Sequence, residues 1–133
     1  MNKINYKGLN IIIENPVGSV RRGNDHEGKP WATRFFYPYG YIENTKGVDG
    51  EGVDCFVGDN PTADSVYIVH QLGPNGLFDE DKCFVGFNSK ESARDAFMAH
   101  YSTQGFIGKI TAMPFYEFKD RIEKEGKKGI SIT

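Results

Sequence analysis

Between residues 9 and 87 the chain is a series of short apolar or β-compatible runs cut by glycine, proline and asparagine, with no helical period before Ser89. Runs of that length bounded by turn residues read as strands. Residues 9–14 form the first, and residues 17–22 read as its hairpin partner across the Asn15-Pro16 break. A polar turn at 23–30 leads to a strand over 31–37, and further strands are expected at 53–57, 66–71 and 82–87. The spacing predicts a mainly β (α+β) fold, a small OB-like β-barrel of five to six strands. Helices enter only in the last third. Ser89, with Ser92 three residues on, is a good N-cap for a helix over 90–101 whose inner side carries Ala93, Ala96, Phe97 and His100. Pro114 is expected in the first turn of a second helix, with Phe115, Phe118 and Ile122 inward and Gly126 as its stop. Two C-terminal helices packed on a barrel, with residues 1–133 as a single domain, are the expected architecture.

Composition narrows the function. A formal net charge of −2 lacks the basic excess of a nucleic-acid binder. No apolar run is long enough to span a bilayer, and residues 1–5 have no signal-peptide core, so a cytoplasmic location and no membrane partner are expected. Cys55 and Cys83 sit in apolar strand-like runs, as small buried hydrophobes do, and could face each other across a sheet without forming a disulfide. With His26, His70 and His100 scattered, there is no zinc spacing.

The densest information lies in residues 39–54. Asp49, Glu51 and Asp54 share one glycine-loosened turn, and convergent carboxylates are what a hard divalent cation with oxygen ligands requires. Spacing alone is equally compatible with an acidic surface turn. Asp54, however, is flanked by Val53, Cys55, Phe56 and Val57, and an acid inside an apolar strand needs a counter-charge or a metal. Upstream, residues 35–42 form an aromatic wall. Phe35, Phe36 and Ile42 read as core, whereas Tyr39 and Tyr41 would need partners for their hydroxyls if buried. The turn lacks EF-hand spacing.

The stretch Phe36-Tyr37-Pro38-Tyr39-Gly40-Tyr41-Ile42-Glu43-Asn44-Thr45, followed by Asp49-Gly50-Glu51-Gly52-Val53-Asp54, resembles the signature of the soluble family I inorganic pyrophosphatases, and most closely the short pyrophosphatase-like modules of phages and mobile elements. That family carries an acid-x-acid-x-x-acid metal motif just after a Tyr-Gly-Tyr-Ile element. Other parts fall in the same order over roughly residues 9 to 118. Ile13-Glu14-Asn15-Pro16 resembles the family's early strand, Arg21 and Arg22 lie where it has a phosphate-binding lysine, and Asp79-Glu80-Asp81-Lys82 resembles its second acidic cluster. Tyr101 resembles the tyrosine near the end of its helix. Three positions depart from the pattern: Glu51 replaces an aspartate, Ser102 a lysine, and Gly23 lies close to where a further glutamate is placed.

The resemblance implies Mg²⁺-dependent hydrolysis of pyrophosphate to two phosphates, with Mn²⁺ as a substitute, and allows a homo-oligomer. The metal ligands it implies are Asp49, Glu51 and Asp54, then Asp79, Asp81 and Glu14. Arg21, Arg22, Lys82, Tyr39 and Tyr101 would hold phosphoryl oxygens, and Asp54, Asp49 and Tyr39 would act in catalysis. Two other readings remain open from sequence: a hydrolase of another phosphoanhydride or a nucleotide in the same pocket, and a non-catalytic module that binds metal or phosphate.

Overall fold

The computed structural model describes residues 2–101 and 107–128. Nine strands and two helices follow in the order β1 (Asn2–Tyr6), β2 (Leu9–Asn15), β3 (Val20–Asn24), β4 (Pro30–Arg34), β5 (Tyr39–Ile42), β6 (Asp54–Val57), β7 (Ser65–Leu72), β8 (Phe78–Val85), α1 (Lys90–Tyr101), β9 (Ile110–Pro114) and α2 (Phe115–Glu125). Seven strands form one mixed sheet in the order β1-β2-β5-β6-β8-β7-β9, and β3 and β4 form a separate two-stranded hairpin.

The barrel expectation is therefore corrected. Among the described residues the large sheet is open, with β1 and β9 at its two ends. The expected pairing of residues 9–14 with 17–22 is replaced: β2 pairs with β1 and β5, and β3 pairs with β4. Apolar pattern identifies a strand but not its neighbour, because the partner is chosen by contacts remote in sequence. Strand β5 lay unread inside the aromatic run, and β1 and β9 fall where no strand was read from the sequence. Pro114 precedes α2 at its N-cap position, not inside its first turn, while Gly126 ends the helix as expected. Ser89 does cap α1: its Oγ accepts the Ser92 N–H at 3.0 Å, and Ser92 Oγ accepts the Ser89 N–H at 3.1 Å.

Alternation along the central strands splits the interior into two layers. Cys55, Val57, Val66, Ile68, Cys83 and Val85 face α2, packing with Phe115, Phe118 and Ile122. Phe56, Tyr67, Val69 and Phe84 point the other way and pack with Phe35, Tyr39 and the Ala93, Ala96, Phe97 side of α1. The helices thus cover opposite faces of the sheet, as two buried faces require. The free thiols Cys55 and Cys83 are register partners in the parallel pair β6–β8.

Two local features set the geometry of the site. Gly40 lies opposite Ile13 beside a bulge in β2, and a side-chain carbon on it would collide with the Ile12 carbonyl oxygen. Only glycine lets β5 approach β2 there, which places Tyr39 and Tyr41 on either side of it. Phe35 and Ile42 are buried as expected, but Phe36 is 54% exposed. It lies just past the end of β4, where its N–H donates to His100 Nε2 at 3.1 Å and its ring points outward.

Candidate active site

On the α1 face of the sheet, below the β3–β4 hairpin, lies an open pocket of about 500 Å³. Its floor is set by the parallel register of β6 and β8, which puts Asp54 opposite Lys82, while the β5–β6 register puts Tyr41 opposite Asp54. Lys82 is the pivot. Its ammonium donates to Asp54 Oδ2 at 3.1 Å, to Glu80 Oε1 at 3.0 Å and to the Tyr39 hydroxyl at 2.9 Å. It lies 4.9 Å from the centre of the Tyr101 ring and only 3% of the residue is exposed. A buried ammonium is tolerable because every donor has an oxygen and two of those oxygens belong to carboxyl groups.

The electrostatics follow from that packing. Burial by itself would lower the Lys82 pKa, but the surrounding oxygens of Tyr39, Tyr101, Asp54 and Glu80 more than offset it, so the amine is held protonated. Burial raises the phenols of Tyr39 and Tyr101, which stay neutral donors at physiological pH, and Tyr101 is hydrogen-bonded to Tyr39. Glu80 is pushed up to about 7, first by burial and then by the nearby Asp54 carboxylate, against the pull of Lys82. The acidic cluster therefore holds more negative charge than one ammonium neutralises.

Of the first acidic motif, Asp49, Glu51 and Asp54 all line the pocket, and Glu14 joins them from the end of β2. Asp49 also shapes its own turn, its Oδ1 accepting the Glu51 N–H at 2.9 Å, and Gly50 adopts φ +86° beside it. Arg21 lines the pocket opposite Thr33, whereas Arg22, one residue on in β3, lies outside its lining.

The second acidic motif is arranged differently from the sequence expectation. Lys82 selects the even-numbered positions of β8, so Glu80 is the acid that shares its pocket. Asp79 is the extra residue of a β-bulge, where Gln71 faces Glu80 and Leu72 faces Phe78; it accepts Gln71 Nε2 at 3.3 Å outside the pocket lining. Asp81 lies opposite His70, its Oδ1 2.6 Å from His70 Nδ1, while His70 Nε2 is 2.8 Å from Thr111 Oγ1; outside the main pocket, Asp81 lines a small cleft with Asp49, Asp54 and Glu80. The two-residue period of a strand, counted from Lys82, is the signal that would have found Glu80. Trp31, Thr33, Phe35, Asn15 and Gln71, which also line the pocket, carried no such signal. Ser102 lies outside the described residues.

Five carboxylates, those of Glu14, Asp49, Glu51, Asp54 and Glu80, face two cations, Arg21 and Lys82, across one pocket. The family model InPase, Inorganic Pyrophosphatase, matches residues 1–123. The chain belongs to the inorganic pyrophosphatase family. None of the curated proteins compared with the chain matches it. In this pyrophosphatase-family chain no group of three or more His, Cys, Asp or Glu side chains among the described residues is already drawn together as a metal cage. The donor chemistry nonetheless fits hard cations: the pocket acids are all oxygen donors, and a hydrogen-bonded ammonium occupies the position between Asp54 and Glu80. No helix among the described residues is long and apolar enough to cross a membrane.

Proposed function

We propose that this protein hydrolyses inorganic pyrophosphate to two phosphates in the pocket between the β3–β4 hairpin and the α1 face of the sheet. The observation that carries the reading is the excess of five carboxylates over two cations on a pocket lined also by two buried phenols. A pyrophosphate anion could not enter such a site unaided, whereas divalent cations would neutralise the acids and bring the anion with them.

Asp49, Glu51, Asp54 and Glu80, with Glu14 at the edge, would hold Mg²⁺, with Mn²⁺ as its substitute. When bound, the metal would supply a water of lowered pKa and neutralise charge on the pyrophosphate. The chain's own residues do the rest. Lys82, fixed by Tyr39, Asp54 and Glu80, offers a positive charge at the pocket floor, and Arg21 offers a planar fork from the hairpin side. The Tyr39–Tyr101 pair, whose mutual hydrogen bond uses one of its two O–H groups, offers the other as a neutral donor to a phosphoryl oxygen. Asp54 accepts the proton of the attacking water as its oxygen bonds to phosphorus and the P–O–P bridge breaks, and that proton passes to the departing phosphate. Asp79, Asp81 and Arg22 have no part in this reading; they serve the bulge, the His70 contact and the outer side of the hairpin.

The test is phosphate release from pyrophosphate with and without Mg²⁺, comparing wild type with Asp54→Asn. Loss of a positioned acid–base group is expected to reduce the rate by about 100-fold or more, with the far-UV spectrum and melting curve retained. Metal-independent release, or a near-normal rate in the variant, would overturn the reading. Metal binding without any release would leave a binding module.

A further inference from the structure

Two groups in this pocket point beyond pyrophosphate. The first is Trp31, the only tryptophan of the chain, which is half-buried on β4 and lines the pocket beside Arg21 and Thr33. Its position is fixed by Gly23 across the hairpin: a side-chain carbon on Gly23 would come within 2.5 Å of Trp31 Cζ2 and 2.9 Å of Cε2. The indole therefore lies against bare backbone, which leaves its other face to the pocket. The second is Gln71 on β7, only 8% exposed. Its Nε2 donates to Asp79 Oδ2 at 3.3 Å, so the amide orientation is set. Its Oε1 is buried and has no hydrogen-bond partner among the described residues, although the residue lines the pocket. A buried carbonyl left without a donor is unfavourable and calls for an explanation.

Pyrophosphate has no ring face for the indole, and at neutral pH it carries at most one P–OH with which to meet Gln71 Oε1. The pocket volume of about 500 Å³ falls in the range that encloses organic ligands, roughly 300–1,000 Å³. The pocket is also divided by origin. Its acids come from β6, β8, the turn before β6 and the end of β2, while Trp31, Thr33 and Arg21 come from the β3–β4 hairpin. A phosphoanhydride at the acidic floor would thus carry any substituent toward the indole.

We infer that the pocket also takes a nucleoside diphosphate, with the base stacked on Trp31 and an N–H or ribose hydroxyl donating to Gln71 Oε1. An aromatic base supplies a π-face to the indole, which has no ring partner among the described residues, and base stacking on aromatic side chains tolerates any base identity. The inference rests on the hydrolytic reading of the same acids. Water would attack the terminal phosphorus, the bond from that phosphorus to the bridging oxygen would break, and nucleoside monophosphate and inorganic phosphate would leave; the water proton passes through Asp54 to the products.

Trp31 is a built-in probe. ADP and pyrophosphate are titrated separately, with Mg²⁺, against the intrinsic fluorescence of the whole chain, and phosphate release from each is measured in wild type, Trp31→Leu and Gln71→Met. The expected result is saturable quenching by ADP that pyrophosphate competes away. The ratio of kcat/KM for ADP to kcat/KM for pyrophosphate should then fall at least tenfold in both variants. Pyrophosphate hydrolysis with neither quenching nor turnover of ADP overturns this inference and leaves the pyrophosphatase reading standing. An unchanged ratio in both variants overturns the assignment of Trp31 and Gln71. Quenching by ADP with no release from either compound upholds the nucleotide site and overturns the hydrolytic reading. The wild-type titration decides the matter even if a variant fails to fold.

Discussion

Replacing Lys82 by methionine keeps most of the volume of the stem and removes the charge with its three donors. In the native protein that ammonium is the counter-ion of Asp54 at 3.1 Å and Glu80 at 3.0 Å. Removing one member of a buried charge set leaves the others uncompensated, at about 3–5 kcal/mol. Each carboxylate side chain is still 24% accessible, so water screens part of the repulsion and the lower end, about 3 kcal/mol, is expected. For a domain of this size that corresponds to a fall in Tm of roughly 10 °C. Glu80 adds a signature in pH. Its folded pKa of about 7 is already above the ordinary carboxyl value, raised by burial and by Asp54 and restrained only by Lys82. Without the ammonium it moves higher, so the folded variant keeps a proton that the unfolded chain has lost. Folding stability of the variant then declines as pH rises from the unfolded value through that higher folded value, and its deficit relative to wild type widens above neutrality. Urea unfolding of both proteins at about pH 6 and about pH 8 measures this directly. Equal stability at the higher pH, or a deficit that does not change with pH, would refute the assignment of Lys82 as the counter-ion.

Three further outcomes follow from other parts of the molecule. Burial lowers the pKa of His100, whose Nδ1 donates to the Ala96 carbonyl at 2.6 Å and whose Nε2 accepts the Phe36 N–H. The unfolded chain thus binds the proton more readily, and stability should decline as pH falls below about 6.5; a His100→Gln variant whose Tm shows the same acid slope would count against this. Gly40→Ala drives a methyl group into the Ile12 carbonyl, at an expected cost above about 3 kcal/mol, read as insoluble expression or a much lowered melting temperature; a melting curve like that of wild type would refute the close approach of β2 and β5. Burial pushes the thiols of Cys55 and Cys83 up, and both are fully enclosed. Neither should react with a thiol-specific disulfide reagent in the native state, while both react in denaturant; rapid native labelling would contradict their place beneath α2.

How far the residues could be read in advance differed from one element to the next. Ser89, Gly126 and the apolar spacing of Phe115, Phe118 and Ile122 marked the helices because caps and helical faces depend on neighbours within a few residues. Asp49, Glu51 and Asp54 stood out because apolar neighbours made one acid unusual and glycines loosened the turn before it. In the second acidic stretch all of residues 79–82 are charged, so the two-residue period from Lys82 picks out Glu80 only once the strand is known to run regularly through residues 80–82 and to bulge at Asp79. Arg21 and Arg22 were equivalent for the same reason.

The sequence by itself determined the mainly β character, the two helices, the first acidic turn and the family signature, all of which are written in local patterns. Only the tertiary structure decided that the strands form an open seven-stranded sheet rather than a barrel. It also decided that the parallel pairing of β6 with β8 sets Lys82 against Asp54, and that Trp31 and Gln71, 40 positions apart in the numbering, share one pocket. Those facts depend on which strands become neighbours, a choice made by burial and hydrogen bonding between segments far apart along the chain.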